Sequence, residues 1–151
     1  MTRRSAALAA LVLGCSGAQG ASTLGPPPPE PPLPNGTMAT AAMLTRTVES
    51  TGALGCGQTA WYSIALASTA PVTVTILGQA QESALGATAS VDVVAANGIA
   101  LGQVLIPVYA RSPEWDPREQ SFQPPLPGTY YLRVQEDPQS CQRLAFRLLI
   151  R

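Results

Sequence analysis

The residues of this chain able to do chemistry are few, and their types decide early what it is not. Three cysteines (Cys15, Cys56 and Cys141), two tryptophans (Trp61 and Trp115) and nine acids stand in 151 residues that contain no histidine. All nine basic residues are arginine. Without histidine there is no Ser-His-Asp triad and no histidine metal ligand. Without lysine there is no Schiff base and no Ser-Lys dyad. A glycine-rich phosphate loop is missing as well. A carboxylate pair of the glycosidase kind remains open, yet most acids fall near turns or loops. The reading is a non-enzyme: no catalytic residue, no cofactor and no metal site are assigned.

The cysteines point to export. Three is an odd number, which leaves one thiol over. Met1 to Gly20 reads as a secretory signal: Arg3 and Arg4 are a positive start, Ala6 to Leu13 a short apolar run, and small residues follow. That run is far below the ~20 residues of a membrane-spanning helix. Val12-Leu13-Gly14-Cys15 resembles the lipobox of bacterial lipoproteins, which implies cleavage before Cys15 and its lipidation. In enteric lipoproteins Ser16 in the following position implies the outer membrane. The alternative is cleavage after Ala18-Gln19-Gly20, giving a soluble periplasmic or secreted protein. Either way Cys56 and Cys141 remain as a pair in an oxidising compartment. A crosslink over so long a loop contributes on the order of 4 kcal/mol in the chain-entropy model.

Two sets of residues offer recognition chemistry. The stretch Arg111 to Glu119 holds Trp115 among Glu114, Asp116 and Glu119. The acids have the oxygen chemistry of calcium ligands, and Trp115 that of an exposed anchor for a sugar or protein. A solvated loop with the tryptophan folded back is the reading preferred over both calcium and a ligand anchor. Trp61 and Tyr131 form the second set. Both stand beside a tyrosine of opposite parity, Tyr62 and Tyr130. If the latter point inward, period two sends Trp61 and Tyr131 to the other face, where they either make a binding platform or lie covered by the N-terminal segment or the long loop, the covered reading being slightly preferred.

Such alternation of faces requires strands, and the sequence pattern supplies them. Tyr62, Ile64 and Leu66 alternate with Trp61, Ser63 and Ala65. The same period runs through Val72 to Ile76, Val91 to Ala95, Tyr130 to Gln135 and Leu144 to Ile150. Asn97-Gly98 between apolar runs predicts a hairpin with a type I′ turn, positive in φ at both residues. Hydrophobic residues at 46% and charged residues at only 12% allow a packed core. The fold class expected is all-β: an antiparallel β-sandwich, jelly-roll-like, of about eight strands. Residues 109–126 read as one long loop.

Four segments resemble the pre-peptidase C-terminal (PPC) domains of bacterial secreted proteins. They are Gln58 to Leu66, Pro71 to Ile76, Val91 to Gly98 and, closest in pattern, Pro127-Gly128-Thr129-Tyr130-Tyr131-Leu132-Arg133-Val134. The resemblance covers about residue 40 to the end and implies a non-catalytic sandwich appended to exported proteins. In such domains polysaccharide, collagen and calcium are known ligands, but no binding residue carries over.

The domain reading is then 1–20 signal peptide, 21–37 proline-rich linker and 38–151 β-sandwich. Residues 25–36 favour polyproline II, which at ~3.1 Å per residue spans roughly 30 Å. No basic run exceeds Arg3-Arg4, so nucleic acid is not an expected partner. The expected partners are a membrane, through the lipid on Cys15, and a polysaccharide or protein ligand. The function expected is an envelope-tethered or secreted binding or accessory module. The alternatives are a structural envelope protein acting through protein contacts and, last, a small carboxylate-dependent hydrolase.

Overall fold

In a computed structural model the chain folds as a two-layer antiparallel β-sandwich. The structure describes residues 30–80, 87–108, 116–136 and 143–151, with backbone only at 79–80, 87–88, 105–108 and 116. Residues 1–20, read above as a signal peptide, and Trp115 and Cys141 lie outside the described residues. After a 3-10 turn at Met38–Thr40 the described residues form nine strands: β1 (Ala42–Met43), β2 (Ser50–Leu54), β3 (Thr59–Leu66), β4 (Val72–Ala80), β5 (Ala87–Ala95), β6 (Ala100–Val108), β7 (Asp116–Phe122), β8 (Gly128–Glu136) and β9 (Leu144–Ile150).

One sheet has the order β1-β3-β8-β5-β6, the other β2-β9-β4-β7. Most connections from β2 onward switch layers, as in a jelly roll. Among the described strands only the two-residue β1 runs parallel to its neighbour. The period-two pattern explains the layers: Tyr62, Ile64 and Leu66 of β3, Tyr130, Leu132 and Val134 of β8, and Val91 and Val93 of β5 all point inward. They meet Val72, Val74 and Ile76 of β4 and Leu144, Phe146, Leu148 and Ile150 of β9 in one core. Each fully buried Leu, Ile or Phe stabilises by about 1.5–3 kcal/mol relative to exposure. The rings of Tyr62 and Phe146 meet edge to face across the layers, at 6.1 Å and 88°.

Two strand-level features differ from the sequence reading. Part of the stretch read as a long loop, Asp116–Phe122, is strand β7, paired with β4 along its length. It occupies a sheet edge, where Pro117, Arg118 and Glu119 discourage pairing with another chain, so its sequence looks like a loop. The hairpin at Asn97-Gly98 exists, but Gly98 alone has positive φ, at +85°. Gly98 N donates to Ala95 O and Ala95 N to Ile99 O. This is a three-residue loop ending on a left-handed glycine rather than a type I′ turn.

Residues 30–36, assigned to the linker by composition, lie against the sandwich. Leu33 packs on the core, and Glu30 pairs with Arg143 at 3.0 Å. The Gln58 amide donates to Pro31 O. Trp61 N donates to Asn35 O at 2.8 Å, and Asn35 Nδ2 donates to Trp61 O at 3.0 Å. The segment thus covers part of the free edge of β3, which β1 covers further along through Leu44 N donating to Ser63 O.

Candidate ligand-binding face

The outer face of the five-stranded sheet follows from its register. Where Tyr62 and Leu132 point inward, Trp61 and Arg133 must point outward, and they are cross-strand partners. Asp92 lies opposite Arg133 on the other side, and Gln103 opposite Asp92. The next rung toward Leu66 holds Met43, Ser63, Tyr131 and Val94. The rung on the other side holds Thr59, Gln135 and Ser90.

Trp61 and Tyr131 therefore stand on one face, on adjacent strands and one rung apart, as period two requires. Both are half-buried. Met43, at the sheet edge beside Ser63, is 87% exposed. Small Ser63, Ala65 and Thr129 leave the surface beside Tyr131 low.

A polar network fixes the centre of this face. The Asp92 carboxylate accepts from Arg133 Nε at 2.9 Å and from Arg133 Nη2 at 2.6 Å. It also accepts from Gln103 Nε2 at 2.8 Å and from Gln135 Nε2 at 3.4 Å. The Asp92 side chain is only 5% exposed, that of Arg133 37%. A buried carboxylate is stable only when so surrounded. The guanidinium, held by Asp92, lies 5.7 Å from the Trp61 ring centroid. The charge of Arg133 is thus answered locally, leaving a face of aromatic, amide and hydroxyl groups.

Behind this face Tyr62 closes the inner side of β3. Burial pushes its phenol pKa up, against a smaller lowering by the hydrogen bond with Asn35. A groove of about 400 Å³ lies between β2 and the N-terminal segment, lined by Leu33, Asn35, Gly52, Ala60 and Tyr62 among others. Among the described residues no charged one lines it.

The other sequence candidates lie elsewhere. Cys56 is half-buried in the turn after β2. Glu119, weighed above as a calcium ligand, accepts instead from Thr75 Oγ1 at 2.9 Å. No group of three metal-ligating side chains occurs among the described residues. Sequence reasoning missed Arg133, Asp92, Gln103, Gln135 and Asn35. One signal was available: Asp92 is the single charge in the apolar run Val91 to Ala95.

No protein-family model and no curated protein matches the chain. Among solved structures it is similar to the pre-peptidase C-terminal domain of a collagenase from Bacillus anthracis. The TM-score is 0.53 at 19% identity, over 74% of this chain and 94% of that one. It is also similar to a periplasmic inhibitor of g-type lysozyme from Aeromonas hydrophila (TM-score 0.47, 13% identity, 74% of this chain and 96% of that one). A CBM35 from Cellvibrio japonicus follows (0.46, 14%, 64% and 70%). What the first of these shares with this chain is the β-sandwich fold.

Proposed function

We propose that this chain is an exported, non-catalytic β-sandwich module that binds polysaccharide through the outer face of its five-stranded sheet. Trp61 and Tyr131 are the contact residues. The observation that carries this reading is their placement on one face around the fixed Arg133–Asp92–Gln103 network. Aromatic rings cover the C–H faces of sugars, while planar amide, guanidinium and hydroxyl groups at the sheet surface suit sugar hydroxyls. Trp115, outside the described residues, is a further proposed contact.

Export rests on the three-part pattern of residues 1–20, and lipidation at Cys15 on the resemblance to a lipobox. This reading puts the domain in the bacterial cell envelope as an outer-membrane lipoprotein. Intact mass of the mature N-terminus tests it: a diacyl or triacyl adduct on Cys15 is expected. A free N-terminus at Ala21 overturns lipidation in favour of a soluble exported protein.

A disulfide between Cys56 and Cys141 belongs to the same proposal. It is supported by the register of β2 and β9, in which Leu54 pairs with Leu144. Cys56 follows the first of these by two residues, and Cys141 precedes the second by three.

The binding test is retention of the full chain on insoluble polysaccharides and on collagen, with Trp61→Ala, Tyr131→Ala and Trp115→Ala beside the wild type. Retention on a polysaccharide is expected, weakened about tenfold to a hundredfold by Trp61→Ala. Retention unchanged in both the Trp61 and Tyr131 variants removes the face. Retention on collagen alone makes the ligand a protein. Turnover of any retained polymer that a single acid substitution abolishes overturns the non-catalytic reading.

A further inference from the structure

A second surface lies at the end of the sandwich remote from Glu30. The strand ends define it: Leu66 of β3 opposite Gly128 of β8, Tyr130 opposite Ala95 of β5, and Val72 of β4 opposite Phe122 of β7. The β1–β2 loop reaches the same end, where Thr47 N donates to Ile150 O. Three large apolar side chains project there into solvent from three separate loops: Val48 is 56% exposed, Ile99 58% and Leu126 69%. Among the described residues only Met43 joins them as an exposed large hydrophobic. Scattered exposed apolar residues need no explanation, but their concentration at one end does.

Each of the three is held out by a pinned backbone. The buried Tyr130 hydroxyl donates to Leu126 O at 2.6 Å and lies 3.4 Å from Leu126 N, which donates to it. Pro125 and Pro127 flank Leu126 and restrict it further. Ile99 N donates to Asn97 Oδ1 at 3.1 Å, while Ile99 O accepts from Ala95 N at 2.8 Å. Val48 N donates to Thr45 O at 3.2 Å, next to Thr47 at φ 64°. These bonds fix the backbone that carries each of the three side chains.

Among the described residues, the unpaired side-chain charges at this end are positive. The loops at 67–71, 96–99 and 123–127 contain no charged residue. Glu49 is paired with Arg147 at 3.6 Å, whereas Arg46 and Arg151 make no ion pair among the described residues.

We propose that this end is a docking surface for an anionic phospholipid bilayer. Val48, Ile99 and Leu126 enter the acyl boundary, and Arg46 and Arg151 face the headgroups. Apolar tips on separate convex loops suit a planar, deformable apolar phase, and unpaired arginines beside them suit its negative surface. Docking here is independent of the polysaccharide face, which lies on the side of the sandwich, and of any lipid on Cys15.

Depth-dependent quenching tests it. The full chain carrying Leu126→Trp is mixed with vesicles of brominated phosphatidylcholine, with and without phosphatidylglycerol. Only residue 126 is reported, as the difference from the wild type, so a leader or lipid elsewhere does not confound the signal. The proposal expects quenching of the added indole with phosphatidylglycerol present, and at least about fivefold less in its absence. Adding Val48→Asp and Ile99→Asp is expected to abolish it, with the far-UV spectrum unchanged. No quenching beyond wild type in anionic vesicles overturns the proposal and leaves the tips to a protein partner. Equal quenching in both compositions overturns the role of the arginines.

Discussion

Replacing Asp92 tests whether the binding face is pre-built. The carboxylate accepts two charge-assisted bonds from Arg133, one from Gln103 and a longer one from Gln135. It is buried, so Asp92→Ala leaves Arg133 and Gln103 without their acceptor. Cutting one side of a fully buried pair costs about 3–5 kcal/mol. Arg133 is 37% exposed and recovers part of that from water, so the expected loss is about 2 kcal/mol, or roughly 8 °C in Tm for a domain of this size. The assay is urea unfolding of wild type, Asp92→Ala, Arg133→Ala and the double variant. The predicted coupling is about 1–2 kcal/mol, and it persists at high salt because the acceptor is shielded from solvent. Asp92→Ala also frees the guanidinium from its position over Trp61, so ligand retention falls although Asp92 touches no ligand. Additivity within about 0.3 kcal/mol, or an Asp92→Ala chain as stable as wild type, refutes the network.

Other perturbations read other parts of the structure. A Cβ on Gly52 would collide with the Phe146 ring and, at 2.7 Å, with the Tyr62 hydroxyl, so Gly52→Ala is expected to destabilise by about 1–3 kcal/mol in the same assay. The raised pKa of Tyr62 means that the folded state holds its proton longer than the unfolded state, whose phenol ionises near 10. The stability this contributes is whole below about pH 10 and is lost as pH rises through the folded pKa. Tyr62→Phe should flatten that alkaline decline, and an unchanged decline would contradict the burial of the phenol. Mass spectrometry after alkylation, without and then with reduction, should find Cys56 and Cys141 protected only before reduction. Alkylation of both beforehand sinks the crosslink.

The strands with inward rows of Val, Ile, Leu and Tyr were legible because they lie in sheet interiors and cover the core. Tyr62 to Leu66 and Leu144 to Ile150 alternate in burial as period two demands. What escaped follows from position. β2 reads Ser-Thr-Gly-Ala-Leu, weak in hydrophobic signal, because Phe146 and Tyr62 fill the space where a side chain at Gly52 would go. β7 is polar because it is an edge. Residues 30–36 look like a spacer by composition, yet Leu33 and Asn35 find partners from Ala53 to Tyr62, more than fifteen residues on. The Trp61–Tyr131 face was legible from parity alone. The Arg133–Asp92–Gln103 network was not, since it requires the order β3-β8-β5-β6, which no local pattern encodes.

The proposed ligand site runs across β3 and β8 on the outer face. Amide shift mapping of the isotope-labelled chain tests it most directly, using soluble oligosaccharide released from whichever polysaccharide retains the chain. Shifts are expected to concentrate at Thr59–Ser63 and Thr129–Gln135, to saturate together and to be lost in Trp61→Ala. Saturable shifts confined to the loops at either end of the sandwich, with those two segments unmoved, would contradict it.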